Sequence, residues 1–106
     1  MAWHVEIMPS ALDDLRWFGR KVGRILLQMA EAILSGNPLA ESKNLKTLRP
    51  NPVAERELRL SGKYRVLFNV DAVKEIVTIV MVGEKRKNSL FVQGQEFTDH
   101  ESDPAK

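Results

Sequence analysis

Residues Trp3-His4-Val5-Glu6-Ile7 alternate apolar and polar side chains, the pattern of a short half-buried strand. Pro9-Ser10 ends it, and Ser10 followed by Asp13 resembles a capping box opening a helix. Leu12, Leu15, Phe18, Val22, Ile25, Leu26, Met29 and Ile33 then recur at three- and four-residue spacing, which is one apolar helical stripe. Gly19 and Gly23 interrupt it, each costing about 1 kcal/mol relative to Ala inside a helix. The pattern predicts two helices, about 10–18 and 22–35, with Gly36 and Pro38 stopping the second. Residues 37–52 hold three of the five prolines and read as a loop anchored by Leu39, Leu45 and Leu48.

From Val53 the period changes to two. Residues 54–60 form a predicted strand, Ser61-Gly62-Lys63 a turn, and Tyr64–Val70 a second strand. Asp71–Lys74 turns again, and Ile76–Val82 is apolar throughout, as in a strand covered on both faces. A last short strand or hairpin is expected over Ser89–Phe97, around Gln93-Gly94. Helices come early and strands late, so the expectation is an α+β domain, β-α-α-β-β-β(-β), with two helices on an antiparallel sheet. It spans residues 1–97, and residues 98–106 form an acidic tail with no core former, expected to fray.

Alternation also sorts side chains between the two sheet faces. Leu58, Leu60, Tyr64, Val66 and Phe68 should meet the helices. Glu55, Glu57, Arg59, Arg65, Leu67 and Asn69 should point away, with Arg59 and Arg65 as cross-strand neighbours. Outward-facing side chains of this kind should alter stability by less than about 1 kcal/mol when truncated. The local charge supports interest in this face. Residues 43–65 carry seven Lys/Arg against two Asp/Glu, and residues 96–106 carry four acids against one base. A clustered basic face is the footprint of a polyanion partner, and arginine binds phosphate oxygens bidentately without losing its charge. A salt-bridged, solvated sheet face explains the same pattern.

Composition removes other chemistries. The chain of 106 residues has no cysteine, which excludes disulfides, thiolate metal sites and cysteine nucleophiles. Its two histidines, His4 and His100, are too far apart in sequence to suggest a metal site; His4 reads as structural and His100 as solvated. Trp3 and Trp17 read as packing residues. Glycine-rich phosphate loops and G-x-S-x-G or H-E-x-x-H motifs are absent. No apolar run could span a membrane and no signal peptide is visible, so the cytoplasm is the expected location.

The string Glu57-Leu58-Arg59-Leu60-Ser61-Gly62-Lys63-Tyr64-Arg65-Val66-Leu67-Phe68, followed by Val80-Met81-Val82-Gly83-Glu84-Lys85-Arg86, resembles the RelE/ParE superfamily of bacterial toxins from type II toxin–antitoxin modules. Pro-Ser-Ala entering a helix with Asp13-Asp14-Leu15, and Leu48 in the proline loop, fit as well. The resemblance covers roughly residues 3–92. It implies a cognate antitoxin, expected to fold onto the basic and apolar stripe between residues 43 and 67 and onto exposed helix positions. It leaves two activities open: ribosome-dependent mRNA cleavage without a metal or other cofactor, or non-enzymatic inhibition of DNA gyrase. A degenerate toxin retained as a binding partner is a third.

For the nuclease, the resemblance implies that Arg65 binds the scissile phosphate, that Arg59 adds a cation, and that Lys85 or Arg86 neutralises the leaving oxygen. Lys46, Arg56 and Lys87 are expected to help hold RNA. The sequence departs from the RelE-type pattern where Glu55 and Glu57 replace lysines and Phe91 falls near a base-stacking tyrosine. Glu57 between two arginines has its charged form favoured, which suits phosphate orientation better than proton abstraction, although in the nuclease reading it orients or deprotonates the 2′-hydroxyl; Phe91 can stack as a tyrosine ring would.

Overall fold

The computed structural model describes residues 3–97; the expected acidic tail and His100 lie outside the described residues. The order is β1 (His4–Ile7), α1 (Pro9–Trp17), α2 (Arg20–Leu34), β2 (Leu45–Thr47), β3 (Arg56–Leu60), β4 (Tyr64–Asp71), β5 (Ile76–Arg86), β6 (Ser89–Val92) and β7 (Gln95–Phe97). The α+β class follows. The strands join in the order β2-β3-β4-β5-β6-β7, all antiparallel neighbours. β1 is the exception, lying parallel to β5 with His4 opposite Ile76 and Ile7 opposite Ile79.

The helices bury their stripe on one sheet face. Leu15, Leu26, Ala30 and Leu34 meet Leu58, Leu60, Val66, Phe68, Val77, Ile79 and Val82. Each large side chain buried there contributes roughly 1.5–3 kcal/mol. The face assignment made from alternation holds, because Leu67 belongs to a separate cluster with Ala54 and Leu90 on the other side. That second side is less open than expected. Asn51 organises the proline loop over it: its Oδ1 accepts from the N–H groups of Val53 and Ala54 at 2.8 and 3.1 Å, and its Nδ2 donates to the Ala54 carbonyl at 3.0 Å. Leu48, Val53 and the β6–β7 hairpin complete the cover.

Three local expectations change. The region read as loop contains β2, where Leu45 sits buried opposite Leu58; three residues are too few to show a period. β5 runs on to Arg86, past the end of its apolar stretch, because β6 pairs with its last three residues. The first helix has no capping box. Met8 is its N-cap, Pro9 occupies the first turn with its pre-set φ, and Asp13 pairs with Arg16 at 3.1 Å instead. The Gln93-Gly94 turn is as expected: both residues have positive φ (53° and 80°), joining Val92 to its partner Gln95.

β4 flanks β5 along nearly its whole length. The opposite edge of β5 is divided, with β1 on Ile76–Ile79 and β6 on Glu84–Arg86. In the interval between them the Val82 N–H donates to Asp14 Oδ2 at 3.0 Å, and Gln93 Nε2 donates to Asp14 Oδ1 at 2.7 Å. Asp14 is buried, so a carboxylate of α1 substitutes for a strand and ties the last hairpin to the helix layer. Burial raises its pKa above the usual 3.8, against the lowering effect of those two donors; Asp13 nearby raises it further.

The folded state therefore holds the Asp14 proton more tightly than the unfolded chain does. Its contribution to stability should rise as pH falls through the folded pKa and level off below about 3.8. In urea titrations across pH, wild type minus Asp14→Asn should grow more favourable toward acid; a difference that shrinks toward acid contradicts this. Gly23 gives a second test. A Cβ there would stand 2.5 Å from the Leu15 carbonyl oxygen of α1. Gly23→Ala should thus destabilise by about 1–3 kcal/mol through overpacking, although propensity alone favours Ala by about 1 kcal/mol. A raised melting temperature would show that the helices can part freely.

Candidate RNA-facing site on the sheet

Glu57 on β3 and Arg65 on β4 project from the sheet face opposite the helices. Arg59 is directly opposite Arg65, and Glu57 opposite Leu67. One oxygen collects both cations: Arg59 Nε donates to Glu57 Oε2 at 3.0 Å, and Arg65 Nε lies 3.3 Å from the same atom. The expectation of an outward, freely exposed set needs correction. Glu57 and Arg65 are 6% and 8% exposed, on the face that also carries the Leu67–Leu90 cluster. Only Arg59 remains substantially open, with 39% of its side chain exposed.

Arg65 is held in place by its own turn. Its Nη1 donates to the carbonyls of Gly62 and Tyr64 at 3.0 and 3.1 Å. Burial lowers its pKa below the ordinary arginine value; Glu57 opposes that and Arg59 adds to it. Arginine starts high enough to stay charged near neutrality. Its Nε is buried without a hydrogen-bond acceptor in line, despite the nearby carboxylate.

Lys46 stands opposite Glu57 across β2, on the same face. Lys85 joins them from β5, its partner Leu90 belonging to the cluster of that face. Arg86 and Phe91 do not. Alternation turns Glu84, Arg86 and Phe91 toward the helix side, where Arg86 donates to Glu84 Oε2 (2.6 Å from Nη2) and lies over the Phe91 ring, 4.6 Å from its centroid. Lys63 also pairs with Glu84, at 3.5 Å. Thus Phe91 stacks on an arginine, and the one-residue ambiguity between Lys85 and Arg86 resolves to Lys85 for this face. The signal was readable: residues 84 and 86 share a face once the strand is known to reach them. Lys87 sits exposed in the turn with φ 56°.

Arg56 is likewise on the helix side, buried, with its guanidinium bound to the Ala40 carbonyl and, at 2.8 Å, to both Glu41 and Thr47. It fastens the loop before β2, and its expected contact with RNA is withdrawn. The Thr47 and Arg56 donors lower the pKa of Glu41. His4 is exposed beside Glu6 at 3.3 Å. No cluster of three potential metal ligands occurs among the described residues, and no helix there is long and apolar enough to cross a membrane. A groove of about 250 Å³ between α1 and α2 is lined by Leu12, Leu15 and Leu27 together with Arg16, Arg20 and Arg24.

The sequence matches no family model, and no curated protein matches it significantly. Solved structures do match. The chain is 25% identical to a chain of a RelBE toxin–antitoxin complex from Mycobacterium tuberculosis, over 80% of its own length and 93% of that chain, with a TM-score of 0.68. It is 26% identical to a mutant of the E. coli toxin RelE in the free state, over 78% and 83% of the two chains, with a TM-score of 0.60. These neighbours show that the chain has the fold of the RelE toxins. An archaeal RelE–RelB complex from Pyrococcus horikoshii shares the fold at 21% identity and a TM-score of 0.63.

Removing Arg65 leaves a buried carboxylate with one cation fewer and two turn carbonyls without their donor. Arg65→Ala should cost about 3 kcal/mol, whereas Arg59→Ala should cost about 1 kcal/mol or less. Urea unfolding midpoints of the two variants test the order. Equal small losses would mean that Arg65 is not held between Glu57 and the turn.

Proposed function

We propose that this chain is the toxin of a toxin–antitoxin module and cleaves mRNA on the ribosome, in the cytoplasm. The observation that carries the reading is the convergence of two cations on one carboxylate oxygen: Arg59, with 39% of its side chain exposed, stands directly opposite Arg65, and both meet Glu57 Oε2. The open Arg59 guanidinium offers a phosphate the paired N–H donors that a carboxylate or phosphate oxygen accepts. The likeness to RelE toxins supports the same reading.

In this mechanism Arg59 and Arg65 hold the scissile phosphate. Glu57 orients the ribose 2′-hydroxyl and takes its proton as the 2′-oxygen bonds to phosphorus. The bond from phosphorus to the 5′-oxygen breaks, and Lys85 supplies charge and a proton to that leaving oxygen. The products are a 2′,3′-cyclic phosphate and a free 5′-hydroxyl. Lys46 and Lys87 add attraction for the backbone. Four side chains give little catalytic power alone, so the ribosome must position the RNA. An antitoxin that folds on binding is the regulatory partner, and the apolar α1–α2 groove offers it area to bury.

A purified translation reaction with mapped mRNA 5′ ends tests this. Codon-positioned cuts should appear, fall about 100-fold or more in Glu57→Gln and Arg59→Ala, and be suppressed by the protein encoded in the adjacent reading frame. Intact mRNA with inhibited gyrase in a parallel supercoiling assay would replace the nuclease by the gyrase reading. Inactivity in both would leave a binding partner without toxin chemistry.

A further inference from the structure

We propose that Gln93 is a positioning residue: through Asp14 it fixes the β6–β7 hairpin as one wall of the sheet-face site, and so sets where Lys85 stands relative to Arg59 and Arg65. The inference rests on the reading of that face as the place of mRNA cleavage. The hairpin reaches the site at Gly83. This buried glycine of β5 lies directly opposite Arg65 and two residues before Lys85. A Cβ on it would stand 2.5 Å from the Phe91 carbonyl oxygen, 3.1 Å from Val92 Cγ2 and 3.2 Å from Leu90 Cδ1. β6 therefore approaches β5 here at a closeness that only glycine permits. Leu90, the partner of Lys85, is buried in one cluster with Leu67, the cross-strand neighbour of Glu57, and Val92 packs against that cluster. The hairpin thus borders Arg65 through Gly83, Lys85 through Leu90 and Glu57 through Leu67.

The wall is held at its tip. Gln93 and Gly94 form the turn, and α1 grips both. Gln93 Nε2 donates to Asp14 Oδ1 at 2.7 Å, and the Trp17 ring lies 3.0 Å from where a Cβ of Gly94 would be. Asp14 and Trp17 are three residues apart, so both grips come from one face of the helix. The other oxygen of Asp14 takes the Val82 N–H at 3.0 Å, immediately before Gly83. One carboxylate therefore registers the hairpin tip against the stretch of β5 that carries Gly83 and Lys85. The residue at position 93 is not one that the turn alone would choose. Its φ is 53°, in the left-handed region where Asn or Gly is more at ease. Asparagine, one methylene shorter, would leave the bond to Asp14 unmade. Glutamine keeps the strained backbone and gains the reach, and strain retained for a contact marks a contact that matters.

The test compares the full chain with Gln93→Asn and Gln93→Gly, which both suit the turn and both fail to reach Asp14. Urea midpoints should stay close to wild type, because relief at the turn offsets the lost bond. Backbone amide resonances of Gly83, Lys85 and Arg65 should nevertheless shift in both variants. In a purified translation reaction the cleavage rate at saturating ribosomes should fall about tenfold or more, with the half-saturating ribosome concentration unchanged, as expected of lost positioning rather than lost binding. Resonance changes confined to residues 91–95, or a full cleavage rate in both variants, overturn the proposal. If wild type cuts no mRNA while the Gly83, Lys85 and Arg65 resonances still move, the hairpin does set the geometry of this face, and the nuclease reading is what fails.

Discussion

A single carboxylate completes the sheet. β5 is bordered by β4 on one edge but by two separate strands on the other, and the interval between those strands is closed by Asp14. Its two oxygens serve different elements, one accepting from the Val82 backbone and the other from Gln93. The helix layer, the central strand and the last hairpin therefore share one small polar joint inside an otherwise apolar layer. Buried polar groups of this kind are tolerated because they are satisfied, and a hydrophobic residue of the same size would leave the Val82 N–H without an acceptor. Trp17, one turn further along α1, lies against Gly94 and sets the same hairpin from a second side.

On the other side of the sheet, the candidate site and local stability draw on the same residues. Glu57 and Arg65 are buried, and Arg65 also ties the Gly62 turn. A guanidinium so constrained loses little freedom when it meets an anion, which is what positioning requires. Around this buried pair stand the more accessible cations Arg59, Lys46 and Lys85, of which Lys46 is exposed and the other two are partly buried.

Much of this was legible because alternation is a local property. Leu58, Leu60, Tyr64, Val66 and Phe68 on one side, and Glu57, Arg59, Arg65 and Leu67 on the other, follow from period two and one turn. The parallel pairing of β1 with β5 was not legible, since a four-residue strand carries no sign of its partner. Nor was the burial of Glu57 and Arg65, which alternation alone had turned outward. Arg56 illustrates the limit of charge counting. Its place in a basic run suggested a nucleic-acid contact, but strand alternation places it on the helix side and a loop consumes its donors.

The pairing of His4 with Ile76 also dictates an order of assembly. During synthesis β1, α1 and α2 emerge first, yet β1 has no neighbour and Asp14 no donor until β5 has followed. Contacts this distant in sequence form slowly because a long loop must close before they contribute. The helix pair can form early from local contacts, but the side that carries Glu57, Arg59 and Arg65, built on β3, β4 and β5, takes shape only when most of the chain is out. A prematurely terminated product ending before β5 would leave β1 without its pairing strand, Asp14 without its Val82 donor, and the core without Val77, Ile79 and Val82. Such a fragment is a target for proteolysis and aggregation rather than a partly active protein.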